Sequence, residues 1–83
     1  MTRIELRERI GERPPRTVAV ATLREDGTIE VEGEPTSVDF LASFRVHDAR
    51  SDTWVSKDED PALWVDLMPE QMRTPLRWAE RHE

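Results

Sequence analysis

Asp39, Ser43 and His47 supply the three side-chain types of a hydrolytic triad, each four residues after the last. On a helix that spacing sets them in line along one face, about 6 Å apart per step. A working nucleophile needs its base within hydrogen-bond reach and donors for the developing oxyanion. Nothing adjacent in the chain supplies such donors, and the same three residues make up the polar side of an amphipathic helix. The polar-face reading prevails, and no catalytic residue is assigned.

Asp48, Asp52, Asp58, Glu59 and Asp60 are dense enough in oxygen to raise a divalent cation. Calcium loops alternate their acids regularly, place a Gly mid-loop and close on a Glu. Here the spacing is irregular and no Gly follows Gly33. Asp60 is better read as a helix cap before Pro61, with Asp58 and Glu59 as anions near a helix N-terminus. His47 and His82 have no metal-ligand spacing, there are no cysteines, and Gly11, Gly27 and Gly33 are too scattered for a phosphate loop. The expectation is a protein that is not an enzyme and has neither metal nor cofactor.

Composition bounds the alternatives. The 83 residues fit a single small domain, at the size where one core just suffices without staples. The longest uninterrupted apolar run, Val18 to Ala21, is far too short to span a membrane, and no signal-like apolar segment follows Arg3. Together with the missing cysteines, this reads as a cytoplasmic protein without membrane contact. The net charge of −6 is unevenly spread. Met1–Arg16 carries five Arg against three Glu, whereas Glu25–Asp66 carries twelve acids against three bases. A basic arm beside an acidic body invites one to fold onto the other, within a chain or between copies.

The segments divide into a basic arm or strand (1–16), a ββα core (17–46), a polar loop (47–59) and short helices (60–83). Ile4 and Leu6 alternate with Arg3, Glu5 and Arg7, which favours a strand before Gly11 and Pro14-Pro15 interrupt. Val18–Arg24 and Thr28–Gly33 read as a hairpin. A three-residue loop Glu25-Asp26-Gly27, with Gly27 left-handed, sets Leu23 opposite Ile29 and Ala21 opposite Val31. It gathers the Glu residues on one face, and a one-residue slip would invert every side chain. Val18 and Val20 then lie on the face away from the alanines and need cover. Pro35–Val46 reads as a helix, opened by a Thr36/Asp39 capping box or by Pro35 at its first position, with Phe40, Leu41 and Phe44 on its apolar arc. Trp54-Val55 should tuck back onto the core. Asp60-Pro61 starts a helix that Pro69 ends, and Thr74-Pro75 starts another through Arg81.

The expected fold is therefore α+β: an antiparallel hairpin, three-stranded if the N-terminal segment joins, packed by one amphipathic helix and followed by short C-terminal helices. Thr2–Arg7 resembles the N-terminal strand of ribbon-helix-helix repressors, whose paired strands enter the major groove. The two helices that must follow in that family are replaced by Gly11, Pro14-Pro15 and another strand, and the acidic body repels phosphate. Nucleic acid is disfavoured as a partner. Three tryptophans in so short a chain suggest that one apolar surface is left for a protein partner or for a second copy. Val18, Val20, Trp64 and Trp78 are the expected contact residues. Arg73 and Arg77 join them as part of an Arg73/Arg77/Arg81 helical stripe facing something acidic. The functional expectation is a non-enzymatic interaction or assembly protein that self-associates. The alternative is an acidic modulator that occupies a basic surface on its target.

Overall fold

The computed structural model describes Met1–Glu83 as an α+β chain. Four strands, β1 (Arg3–Glu8), β2 (Arg16–Leu23), β3 (Ile29–Gly33) and β6 (Arg77–His82), form an antiparallel sheet in the order β3-β2-β1-β6. Helices α1 (Pro35–Ser43) and α2 (Pro61–Gln71) cover one face of it, and β4 (Val46–Asp48) with β5 (Thr53–Val55) forms a separate two-stranded ribbon.

The hairpin register follows from its loop. Arg24 and Thr28 close three residues, Gly27 takes φ +86°, and Leu23 pairs with Ile29 and Ala21 with Val31. The alternation of Glu30 and Glu32 with apolar residues selects that register, since any other buries a carboxylate. Ala19 and Ala21 face the helices and are buried.

Val18 departs from the expected alternation. Leu6 pairs with Ala19 but Arg7 pairs with Thr17, so Val18 is the extra residue of a β-bulge. The bulge turns Val18 to the same side as Ala19, and both are buried. Opposite them, Gly33 has φ +143°, and a Cβ there would lie 2.4 Å from the Val18 carbonyl oxygen. Only glycine permits this close crossing, which lets Glu34 N–H reach the same carbonyl at 3.0 Å.

Helix α1 begins at Pro35 after an extended Glu34 that offers no side-chain cap, so proline at the first position opens it rather than the Thr36/Asp39 box. It ends at Ser43, short of Val46. Phe44 is already extended, and its carbonyl accepts the indole N–H of Trp64 at 2.8 Å. In α2 the Asp60 carboxylate caps Leu63 N–H as expected. Pro69 does not end the helix, which runs two residues further to Gln71. Proline that late costs only the missing N–H bond of a terminal turn.

The largest departure is at 75–81, a strand where a helix was expected. Thr74 Oγ1 accepts the Arg77 N–H, Thr74 N–H bonds the Arg77 carbonyl, and the chain reverses around Pro75-Leu76. Strand β6 then pairs with β1 from Arg3↔His82 to Glu8↔Arg77. Without β6, strand β1, whose Ile4 and Leu6 are fully buried, would end the sheet with a row of its backbone groups unpaired.

The 47–59 segment is likewise more structured than a loop. Gln71 at the end of α2 clamps the backbone of His47, donating to its carbonyl at 2.8 Å and accepting its N–H at 2.7 Å. The side-chain amide acts as a third strand for the β4–β5 ribbon. The core beneath combines Ile4, Leu6, Leu41, Val46, Trp64, Val65 and Met68, all nearly or fully buried.

Candidate interaction surface

Each of the six expected contact residues has a definite place. Val18 is held in the core by the bulge, and Trp64 is 0% exposed, its one polar atom bonded to Phe44. Both hold the fold together and leave no side-chain surface for a partner. Val20 is half-buried on the sheet face opposite the helices, paired with Glu5 on β1 and Glu32 on β3. Trp78 lies half-buried on that same open face, its indole N–H on Glu80 at 2.7 Å and the Arg9 guanidinium 5.5 Å from its ring. Arg73 is exposed in the turn before β6. Arg77 projects to the helix side, 4.8 Å from the Phe40 ring and 3.8 Å from Glu8. Because 77–82 is a strand, the expected helical arginine stripe does not form; Arg81 instead pairs with Asp66 and Glu83.

The open sheet face is a lattice of paired charges. Thr17 donates to Glu5 at 2.9 Å and accepts from Arg7 at 2.7 Å, while Arg3 lies 3.2 Å and His82 3.5 Å from the same Glu5 carboxylate. The Thr17 hydroxyl, then the nearby His82 and Arg3, hold the Glu5 carboxyl below its usual range. Most of its charges are paired, although Arg7 Nε and His82 Nε2 are buried without a hydrogen-bond partner. With its one aliphatic residue flanked by carboxylates, this face resembles the solvated side of a half-covered sheet.

At one end of the sheet the chemistry differs. Arg9 N–H bonds the Leu76 carbonyl at 2.9 Å, drawing the segment after β1 against the turn before β6. Ile10 and Leu76, 53% and 64% exposed, thereby meet at an open groove of about 600 Å³ that also touches Phe40 and Met72. Arg9 and Arg77 line this groove beside Glu8, and Arg73 joins Arg9 in the adjoining cleft around Thr74, Pro75 and Trp78. Sequence reasoning missed Ile10, Leu76 and Arg9 because residues 66 apart become neighbours only through the unforeseen β1–β6 pairing.

At the other end the β2–β3 loop gathers Glu25, Asp26, Glu30 and Glu32 around an open cleft. Glu32 is pushed above its usual pKa range by the neighbouring Glu30 carboxyl, which both hydrogen-bonds and repels it. Arg24 pairs with Glu30.

Trp54 is 60% exposed rather than tucked in, although Val55 is buried as expected. His47 lies 5.1 Å from the Trp54 ring centroid and 3.0 Å from Asp52. Asp39, Ser43 and His47 do not assemble, since Ser43 bonds backbone carbonyls on its own helix and His47 turns to Asp52. No group of three His, Asp or Glu side chains converges in a geometry that would hold a metal ion. No helix is long and apolar enough to cross a membrane. No protein-family model, curated protein or solved structure matches the chain.

Proposed function

We propose that this chain is a non-enzymatic protein–protein interaction domain that binds through the apolar groove at Ile10, Phe40 and Leu76. The observation that carries this reading is the convergence of two large exposed aliphatic side chains, from segments far apart in sequence, on one concave surface. Exposed aliphatics scattered singly need no explanation, but a pair lining one groove beside a half-buried phenylalanine supports a docking role. The expected self-association is less well supported by this groove than binding of a different chain. Val18 and Trp64 are spent on the core, and two copies meeting groove to groove would set Arg9, Arg73 and Arg77 against their own equivalents. A different chain is therefore the better occupant.

A photo-crosslinking residue at Leu76, introduced in living cells, tests this. Adducts are expected at Leu76, absent at the exposed control position Thr28, and lost when Ile10→Asp is added. An adduct of twice the chain mass would report self-association instead. Equal labelling at Leu76 and Thr28 would refute the groove altogether.

A second reading, an acidic modulator, draws on the opposite end. There the crowding of Glu30 and Glu32 favours any cation that relieves it. Binding of a basic peptide at that tip should fade toward about 0.5 M salt as screening shortens, whereas apolar docking should persist.

A further inference from the structure

Five arginines, Arg9, Arg13, Arg45, Arg50 and Arg73, belong to no ion pair, although the chain carries an excess of acids, and three of them, Arg9, Arg13 and Arg73, share one end of the sheet. All three lie at the Ile10/Leu76 end: Arg9 in the groove, Arg73 in the adjoining cleft, and Arg13 beside Ile10. Their distribution matters more than the net charge: three unpaired carboxylates, Glu25, Asp26 and Glu32, meet at the opposite β2–β3 tip, while Glu12 in the Ile10–Arg13 turn is an unpaired acid at the arginine end.

Two of the groove's arginines are also oriented. Arg9 lies over the Trp78 ring and Arg77 over the Phe40 ring. A guanidinium held against an aromatic ring can still present its N–H edge to a carboxylate bidentately; Arg77 already turns toward Glu8 at 3.8 Å, whereas Arg9 is in no ion pair. The stacking also removes part of the side-chain entropy that such a contact would otherwise cost. Between these positive edges lie aliphatic side chains, which want apolar cover. The one carboxylate in the groove, Glu8, is already shared by Arg16 and Arg77.

We infer that the occupant of the groove is an acidic segment of another protein, with aliphatic or aromatic side chains set between its carboxylates. This rests on the reading of the groove as a docking surface. Nucleic acid fits less well: the groove's aliphatics offer no stacking platform, its aromatics are covered by arginines, and the body is acidic.

A display selection of random 12-residue peptides on the intact chain, counter-selected on Ile10→Asp/Leu76→Asp, tests the inference. The selected pool is expected to carry net negative charge together with Leu, Ile, Phe or Trp. Its members should bind Arg9→Glu/Arg73→Glu at least 10-fold more weakly. A neutral or basic pool that still needs Ile10 and Leu76 overturns the charge inference and leaves the docking groove standing. A pool that binds the Ile10/Leu76 variant equally well overturns both. Tighter, Arg9- and Arg73-dependent binding of a 12-nucleotide single strand would assign the groove to nucleic acid instead.

Discussion

Replacing Trp64 with Phe separates a structural tryptophan from a partner-binding one. The indole is 0% exposed and donates its N–H to the Phe44 carbonyl at 2.8 Å. Phe removes that donor and leaves a carbonyl beside the core without its partner, at about 1–3 kcal/mol. The smaller ring also leaves a void of one or two methylene equivalents, adding roughly 1 kcal/mol. The sum, about 2–4 kcal/mol, is a sixth or more of the roughly 4–12 kcal/mol expected for a domain of this length. Urea unfolding followed by far-UV circular dichroism should show the midpoint falling by at least ~1 M, with the slope unchanged. The parallel change Trp54→Phe, at an exposed site, should stay within about 0.5 kcal/mol. Fluorescence gives a second reading: a chain retaining only Trp64 should emit to the blue of one retaining only Trp54. A cost below about 1 kcal/mol at Trp64, or equal emission from the two, would refute the placement of Trp64 as the centre of the core.

Gly33→Ala forces a Cβ to within 2.4 Å of a backbone oxygen in a φ region that L-residues avoid, so it should cost about 2–4 kcal/mol in the same unfolding assay. Gln71→Ala removes both amide bonds to His47 and should cost about 1–2 kcal/mol. Its signature is local, with hydrogen exchange accelerating in 46–55 more than in the four-stranded sheet. Glu5 has its carboxyl held low in the folded state, so its stabilising contribution is complete above the ordinary Glu value of 4.5 and is lost as pH falls through the depressed folded value. Glu5→Gln should therefore flatten the acid limb of the stability profile below about pH 4.5. Glu32 runs the other way. Its raised folded pKa makes stability decline as pH rises through that value, so Glu32→Gln should remove the decline.

How much of this was legible depended on whether a residue's role was set locally. The β2–β3 register was, because Asp26-Gly27 and the alternating Glu30 and Glu32 admit one arrangement. So were the α2 cap at Asp60 and the start of α1 at Pro35. Strand β6 was not. Its inward residues are Arg77, Ala79 and Arg81, with no hydrophobic alternation, and the two arginines are accommodated by Phe40, Glu8 and Asp66, which lie far away in sequence. Val18 was misplaced because a bulge answers to the partner strand rather than to its own alternation. The groove fell with β6, and Trp54 was read as core because nothing local distinguishes an exposed tryptophan from a buried one.

The pairing of β1 with β6 also has a consequence for the folding chain. Arg3 meets His82, so an inner strand of the sheet pairs with one more than seventy residues away at that point. A sheet of β1, β2 and β3 without β6 would have an open edge at β1 as well as at β3, and would leave Ile4 and Leu6 less covered. Closing the β1 edge joins residues from 69 apart at Glu8 and Arg77 to 79 apart at Arg3 and His82, the kind of distant contact that slows folding. The alternating charges Arg3, Glu5 and Arg7 on the open face of β1 then have a transient use, keeping an unfinished sheet from pairing with its neighbours.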